Sequence, residues 1–281
     1  METMEKAIYV TGITGFIGRN LLKALAKKYI KIINFTRSRK VQIYENGDIS
    51  ENKISQELVI QNPSDTLINL ATLYKPHVNE YEDLQSLIEA NILFPGRVIE
   101  ELSCFNNLKI VNALSYHQLL DLPSQNIYSL SKELFKRYLN ERVNQAINIY
   151  IFDTFGSGDT REKVTDTFIR NILAGKAIKI PKNDIYINLS ACEALSNSIM
   201  SGLGLAPGDY MIKSPDTISL ESLAFSIMKI LDTKVEIVKT DAGINFFDLL
   251  TELPKNIFLP PDNYNFNDNL IKRVNEIKYG S

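Results

Sequence analysis

Tyr128 and Lys132 stand four residues apart, so on a helix they project from one face. A phenol titrating near ~10 is a poor acid–base group at neutral pH, and a neighbouring ammonium favours its ionised form. The pair can therefore trade a proton with an oxygen of a bound substrate. Ser115 closes the preceding apolar run, Lys109 to Ser115, and offers a hydroxyl that can hold a carbonyl and steady the charge developing on it. Such a set serves hydride transfer, in which a cofactor brings the hydride and the protein brings position and a proton. By itself Tyr-x-x-x-Lys arises by chance on many amphipathic helices. What gives it weight is its place after a strand ending in serine, behind a glycine-rich turn.

That turn is Val10-Thr11-Gly12-Ile13-Thr14-Gly15-Phe16-Ile17-Gly18. Ala7 to Val10 reads as a short buried strand, and Leu21, Leu22, Leu25 and Ala26 follow at helical spacing. Three glycines at a strand-to-helix junction place backbone N–H groups and a helix N-terminus where a pyrophosphate can dock. Residues 30–35 form the second strand of a βαβ unit, and its exit is Thr36-Arg37-Ser38-Arg39-Lys40. A free ribose 2′-hydroxyl is commonly met there by an acid and a 2′-phosphate by arginine. Three cations without an acid favour NADP, with Arg37 as the phosphate contact.

These elements recur along the chain. Val41–Tyr44 reads as a third strand, 66–71 as a fourth with Thr72 beyond its carboxyl end, 109–115 as a fifth and 146–152 as a sixth. Helices are expected around 54–60, over 81–104 with a break at Pro95-Gly96, and over 128–144. Further on the alternation is less regular, with a strand near 209–213 that returns to the main sheet and helices near 165–174, 190–202, 219–231 and 269–278. The fold expected is α/β, a Rossmann-type doubly wound parallel sheet with a smaller C-terminal α/β substrate lobe. The cofactor domain is expected to span 1–160, with 185–214 returning to it, and the lobe 161–184 and 215–281.

Bulk composition narrows the function. The chain has 281 residues, 44% hydrophobic, with 31 Lys and Arg against 33 Asp and Glu for a net charge of −2. That balance gives no electrostatic case for nucleic acid or an anionic membrane. Two cysteines, Cys104 and Cys192, and two histidines, His77 and His117, argue against a disulfide framework or a metal centre. With no long apolar run and no signal-peptide layout at the N-terminus, a cytoplasmic protein is expected.

Taken together, the chain resembles the extended short-chain dehydrogenase/reductase family, also called the NAD-dependent epimerase/dehydratase family, from Ala7 to about Tyr210. The resemblance rests on Thr11-Gly12-x-x-Gly15-x-x-Gly18, Asn69-Leu70-Ala71, Asn91, Ser115, Tyr128-x-x-x-Lys132 and Phe155-Gly156-Ser157-Gly158-Asp159. It implies that Ser115, Tyr128 and Lys132 are catalytic. It implies that Gly12, Thr14, Gly15, Phe16, Ile17, Gly18, Leu70, Ala71, Thr72 and Phe155 line the cofactor, joined by Asn91, and that Asp48 stands against the adenine unless it caps the helix that follows. Asn112-Ala113-Leu114-Ser115 and its short gap to Tyr128 are similar to the family's nucleotide-sugar 4-ketoreductases. A nucleotide-sugar substrate and a homodimer built on the helices at 81–104 and 128–144 are further implications. One departure stands out: where the family grips the substrate diphosphate with arginine, this chain has Asn183, leaving Arg161, Lys163, Arg170, Lys179 and Lys182 to supply charge.

The reading is thus an NADPH-dependent reductase of a 4-keto-6-deoxy nucleotide sugar. An NAD(P)-dependent 4-epimerase or dehydratase of the same family is the alternative, and a non-catalytic NADP-binding scaffold is the alternative of another class.

Overall fold

A computed structural model of the chain describes residues 5–45, 48–53, 64–104, 107–121, 125–251, 253–254, 256–258 and 265–280. The expected helix at 54–60 lies outside them. The chain opens with β1 (Glu5–Thr11), α1 (Phe16–Lys28) and β2 (Tyr29–Phe35), in which β1 and β2 pair in parallel. It then makes β3 (Lys40–Glu45), β4 (Asp48–Lys53) and β5 (Thr66–Asn69). Helices α2 (Tyr81–Ile88) and α3 (Phe94–Leu102) precede β6 (Lys109–Ser115), and α4 (Ile127–Arg142) precedes β7 (Ala146–Ile151). Every residue of β7 is buried, as expected of a largely apolar strand covered on both faces, and its one amide side chain, Asn148, is buried with the rest.

The later chain adds β8 (Asp153–Phe155), α5 (Val164–Leu173), β9 (Ile178–Pro181), β10 (Tyr186–Ile187), β11 (Leu189–Ala191), α6 (Cys192–Gly202) and β12 (Gly208–Ile212). It ends with β13 (Ile218–Ser219), α7 (Leu220–Leu231), β14 (Ile237–Thr240), β15 (Asn256–Phe258) and α8 (Phe266–Tyr279). The large sheet runs β15-β12-β7-β6-β5-β1-β2-β3-β4. Leu21 and Leu25 of α1 and Leu195 and Ile199 of α6 fill one face. Phe94 and Val98 of α3 and Phe135 and Leu139 of α4 fill the other, which makes the sheet doubly wound. A third core gathers Phe155, Phe168, Ile172, Leu223, Ile227, Leu270 and Val274 from the C-terminal elements. Buried Arg273 pairs with Asp166 and so fixes α8 to α5.

Three features depart from the sequence reading. The sheet is not parallel throughout, because β3 and β4 run antiparallel at its edge. Thr36 closes a tight turn on Lys40, donating its backbone N–H and its hydroxyl to the Lys40 carbonyl at 3.0 and 2.7 Å, and Arg39 takes a left-handed φ of 59°. The chain therefore reverses at once instead of crossing over through a helix. The boundary expected at 215 is also crossed, since β15 pairs with β12 in the large sheet. Finally, the long helix is split by a π-helical turn at Glu89–Leu93 just ahead of Pro95. Proline has no N–H to give to the ladder, so hydrogen bonding must shift there.

Candidate active site

The carboxyl ends of β1, β2, β5, β6 and β7 open into a cleft of about 900 Å³. Its floor is the glycine turn. Gly12 has φ +76°, and a Cβ on it would sit 2.8 Å from the Ala71 nitrogen. A Cβ on Gly18 would lie 2.3 Å from the Gly12 carbonyl oxygen, so helix α1 starts where only glycine fits. Gly15 is the N-cap, and neither a capping side chain nor an acid in the first turn takes up the exposed N–H groups. Thr14, Phe16 and Ile17 complete this wall, and Leu70, Ala71 and Thr72 close it from β5.

Arg37 lines the far end of the cleft with Thr36 and Ser38. The tight turn between β2 and β3 is what presents it. Lys40, the third cation of the run, instead reaches across to Glu51 on β4 at 3.5 Å. Asp48 is not brought here. Its backbone pairs with Glu45, at the end of the β3–β4 hairpin remote from Arg37, because β3 runs away from the cleft.

Tyr128 is buried in the opposite wall, on α4, whose start is fixed by Asn126 accepting the Ser129 N–H at 2.9 Å. Its hydroxyl lies beside the side chains of Thr72 and Ser115, and the Tyr74 ring stands edge-on at 4.9 Å. Burial pushes the phenol up, with the neighbouring Thr72 and Ser115 side chains and the Arg161 charge pulling the other way. This differs from the expectation that Lys132 would bring it down: desolvation of the phenolate outweighs the favourable contacts. Lys132 serves the architecture, donating Nζ to the Ala113 carbonyl at 2.7 Å, while its own burial lowers its pKa to about 8. Ser115 is held by a reciprocal cap, its N–H bonded to Gln118 Oε1 at 3.0 Å and its Oγ accepting from the His117 N–H.

Two expected cofactor residues lie behind the wall. Asn91, in the π-helical turn, accepts the Leu73 N–H at 2.7 Å and donates to Ser131 Oγ at 2.9 Å, bracing the segment that carries Thr72. Phe155 is fully buried in the C-terminal core against Phe266, because β8 turns it away from the opening.

The second half of the cleft holds groups that the Ser–Tyr–Lys pattern does not contain: Tyr74, Tyr116, His117, Asp153, Arg161 and Lys163. Tyr116 stacks on Phe152 at 4.9 Å and lies beside Asp153. Burial raises the Asp153 pKa against the pull of Lys163, Tyr116 and Arg161. Burial beside Lys163 lowers that of His117 to about 4, so its imidazole is neutral at physiological pH. The Arg161 guanidinium lies 4.3 Å over the Phe16 ring and bonds Asp159 and Thr154, and Lys163 Nζ lies 4.4 Å over Tyr74. Tyr116 follows directly on β6 and Asp153 comes two residues after β7, and that position just past a strand's carboxyl end is the signal that could have found them. Of the five cations expected to substitute for arginine at Asn183, only Arg161 and Lys163 reach the cleft. Asn183 itself clasps Gly243 through two hydrogen bonds of 3.0 and 2.8 Å. Among the described residues no cluster of His, Cys, Asp and Glu could hold a metal, and no helix is long and apolar enough to cross a membrane.

A glycine turn feeding an uncapped helix, with a serine and a Tyr-x-x-x-Lys pair across the cleft, defines the dinucleotide-binding α/β class. Within that class the chain belongs to the NAD dependent epimerase/dehydratase family, whose model matches residues 8–186. It is similar to CDP-abequose synthase of Yersinia pseudotuberculosis, 24% identical over 215 residues that cover 72% of this chain and 75% of that one. A second CDP-abequose synthase, from Salmonella typhimurium, is 25% identical over 179 residues, 58% of each chain. Among solved structures, UDP-glucose 4-epimerase of Thermotoga maritima, with UDP-glucose, aligns with a TM-score of 0.75 at 12% identity over 97% of this chain and 98% of that one. The Thermus thermophilus UDP-glucose 4-epimerase complex with NAD aligns with a TM-score of 0.70 at 13% identity over 98% and 100% of the two chains. At such identities these likenesses show the fold.

Proposed function

We propose that the protein is an NADPH-dependent reductase of a 4-keto-6-deoxy nucleotide sugar. The observation that carries this reading is the placement of Tyr128, its hydroxyl between Thr72 and Ser115, on the wall facing the glycine turn. A nicotinamide dinucleotide fits the residues present: the space over Gly12 and Gly18 that no Cβ could share, the N–H groups of α1, and Arg37 at the distal end for a 2′-phosphate. When bound, that cofactor supplies the hydride.

The chain's own residues supply the rest. Ser115 and Tyr128 hold the substrate carbonyl oxygen, and Tyr128 gives it a proton. Burial raises the phenol's pKa, which keeps that proton in place until the oxygen becomes basic. Lys132, fixed to Ala113, orients the ribose and keeps a cation beside the reaction. Arg161 and Lys163 receive the substrate diphosphate in place of the arginine missing at Asn183. Support for a nucleotide sugar comes from the CDP-abequose synthases to which the chain is similar. Exposed Tyr81, Leu93, Leu130 and Leu134, on or beside the helices expected to pair, support a homodimer, which light scattering of wild type and Leu134→Glu tests.

The test is to supply NADPH or NADH with CDP-, dTDP- and UDP-linked 4-keto-6-deoxy sugars and follow the nicotinamide absorbance. Consumption of NADPH with formation of the 4-hydroxy sugar is expected. Inversion at C4 without net cofactor consumption would replace the reductase by the epimerase. Absence of turnover with every sugar, unchanged in Tyr128→Phe, would leave a binding protein.

A further inference from the structure

A row of polar side chains crosses the buried sheet just beneath the cleft. Thr11 Oγ1 donates to Asn69 Oδ1 at 2.6 Å, Asn69 Nδ2 to Asn112 Oδ1 at 2.9 Å, and Asn112 Nδ2 to Asn148 Oδ1 at 3.2 Å. Asn148 Nδ2 then donates to Asp209 Oδ1 at 3.0 Å and to Asn140 Oδ1 at 3.3 Å. At the other end the Ala71 N–H donates to Thr11 Oγ1 at 3.1 Å. The rungs are register partners on adjacent parallel strands: Thr11 with Asn69, Asn69 with Asn112, Asn112 with Asn148, and Asn148 with Asp209. Thr11, Asn69, Asn112 and Asn148 are all buried.

Three asparagines inside a parallel sheet are costly unless each bond is made, and here each link donates in one direction toward the Asp209 carboxylate. A one-residue slip of any strand would carry its rung to the other face and leave its neighbours unpaired. The row therefore fixes register. Wall residues are counted upward from it: Gly12 one after Thr11, Ala71 and Thr72 two and three after Asn69, Ala113 and Ser115 one and three after Asn112.

The row also holds the helix that carries Tyr128. On α4, Tyr128, Lys132, Lys136 and Asn140 recur every four residues and form one stripe. Lys132 bonds the Ala113 carbonyl, Lys136 pairs with Asp209 and donates to Tyr150 Oη at 2.8 Å, and Asn140 accepts from Asn148. We propose that the Asn69–Asn112–Asn148–Asp209 row, with Lys136 and Asn140, is a positioning device that sets the depth of α4, and so of Tyr128 and Lys132, against the glycine turn. None of the six lines the cleft. The inference rests on the reductase reading only where turnover is measured.

The test compares wild type, Asn112→Leu, the triple variant Asn69→Leu/Asn112→Leu/Asn148→Leu, and Lys136→Met with its conservative counterpart Lys136→Arg. Four quantities are read: melting temperature, amide exchange over 70–72 and 127–134, NADPH affinity by fluorescence, and turnover. Asn112→Leu takes the acceptor from the Asn69 amide and the donor from Asn148 Oδ1 and leaves those two buried groups unsatisfied, so it should melt several degrees lower. The triple variant removes the orphaned partners and should regain much of that loss. It should still exchange faster over 127–134 and turn over roughly tenfold or more slowly, with KM little changed, because small misplacements are costly. Recovery of exchange protection and kcat along with melting temperature in the triple variant would overturn the proposal. If that variant does not fold, Lys136→Met, at the partly buried end of the row, decides. Faster exchange over 127–134 and a lower kcat, both restored by Lys136→Arg, support positioning, and wild-type values in Lys136→Met overturn it. Were wild type to turn over no sugar, the reductase reading would fall, and the exchange data would still decide the row.

Discussion

Lys132 Nζ donates to the carbonyl oxygen of Ala113 at 2.7 Å, two residues before Ser115 on the same strand. One hydrogen bond thus ties the helix bearing Tyr128 to the strand bearing Ser115. The lysine is buried and its pKa is drawn down to about 8, so at neutral pH the fold carries a charge it would hold more cheaply outside. Below about pH 8 the lysine is protonated in both folded and unfolded chains and the penalty is full. Between about pH 8 and the ordinary lysine value near ~10.5 the unfolded chain binds more protons, so stability rises with pH and the penalty fades. Lys132→Met should therefore melt higher than wild type at pH 7, with an advantage that shrinks above pH 8, while losing turnover. A lower melting temperature at pH 7 would show that the Ala113 bond outweighs desolvation.

Tyr128→Phe removes the proton donor and leaves the ring in its packing against Tyr74. Turnover should drop by about 10²–10⁴-fold, the usual worth of a positioned acid. NADPH affinity should stay within a few-fold of wild type, as measured by fluorescence titration. Equal losses in both would mean that the tyrosine binds and does not transfer a proton.

Arg37→Ala tests cofactor choice. A hydrogen bond to a charged group is worth about 1.5–3 kcal/mol, so the Kd for NADPH should rise by roughly 10- to 150-fold. Affinity for NADH should be almost unaffected. A wild-type preference for NADH, unmoved by the substitution, would overturn the assignment of NADP.

Gly18→Ala and Gly15→Ala should part company. The added Cβ meets Gly12 O at 2.3 Å in the first, together with Ile13 backbone atoms, and only Gly12 O at 3.2 Å in the second. Backbone cannot swing aside as a side chain can. Gly18→Ala should cost up to roughly 3 kcal/mol of stability and most cofactor binding, and Gly15→Ala much less, in thermal melts and titration.

The sequence by itself determined which residues have the types and spacing for chemistry and which elements carry them. Glycine spacing at a strand-to-helix change, a serine at a strand end and two side chains one helical turn apart are local patterns, and local sterics and periodicity enforce them in any context. Gly12, Gly15, Gly18, Ser115, Tyr128 and Lys132 all line one cleft. What only the tertiary structure decided depends on residues far apart in the chain. Arg37 was legible as a cation, but the reversal at Thr36 is what aims it and sends Asp48 away from the site. Asn183 was legible as a departure, but only the packed lobe shows Arg161 and Lys163 entering the cleft while Asn183 is spent on Gly243. Single asparagines at 69, 112 and 148 say nothing alone, since no local rule joins residues 43 and 36 positions apart. Their meaning comes from register, which parallel strands acquire only when the whole sheet assembles.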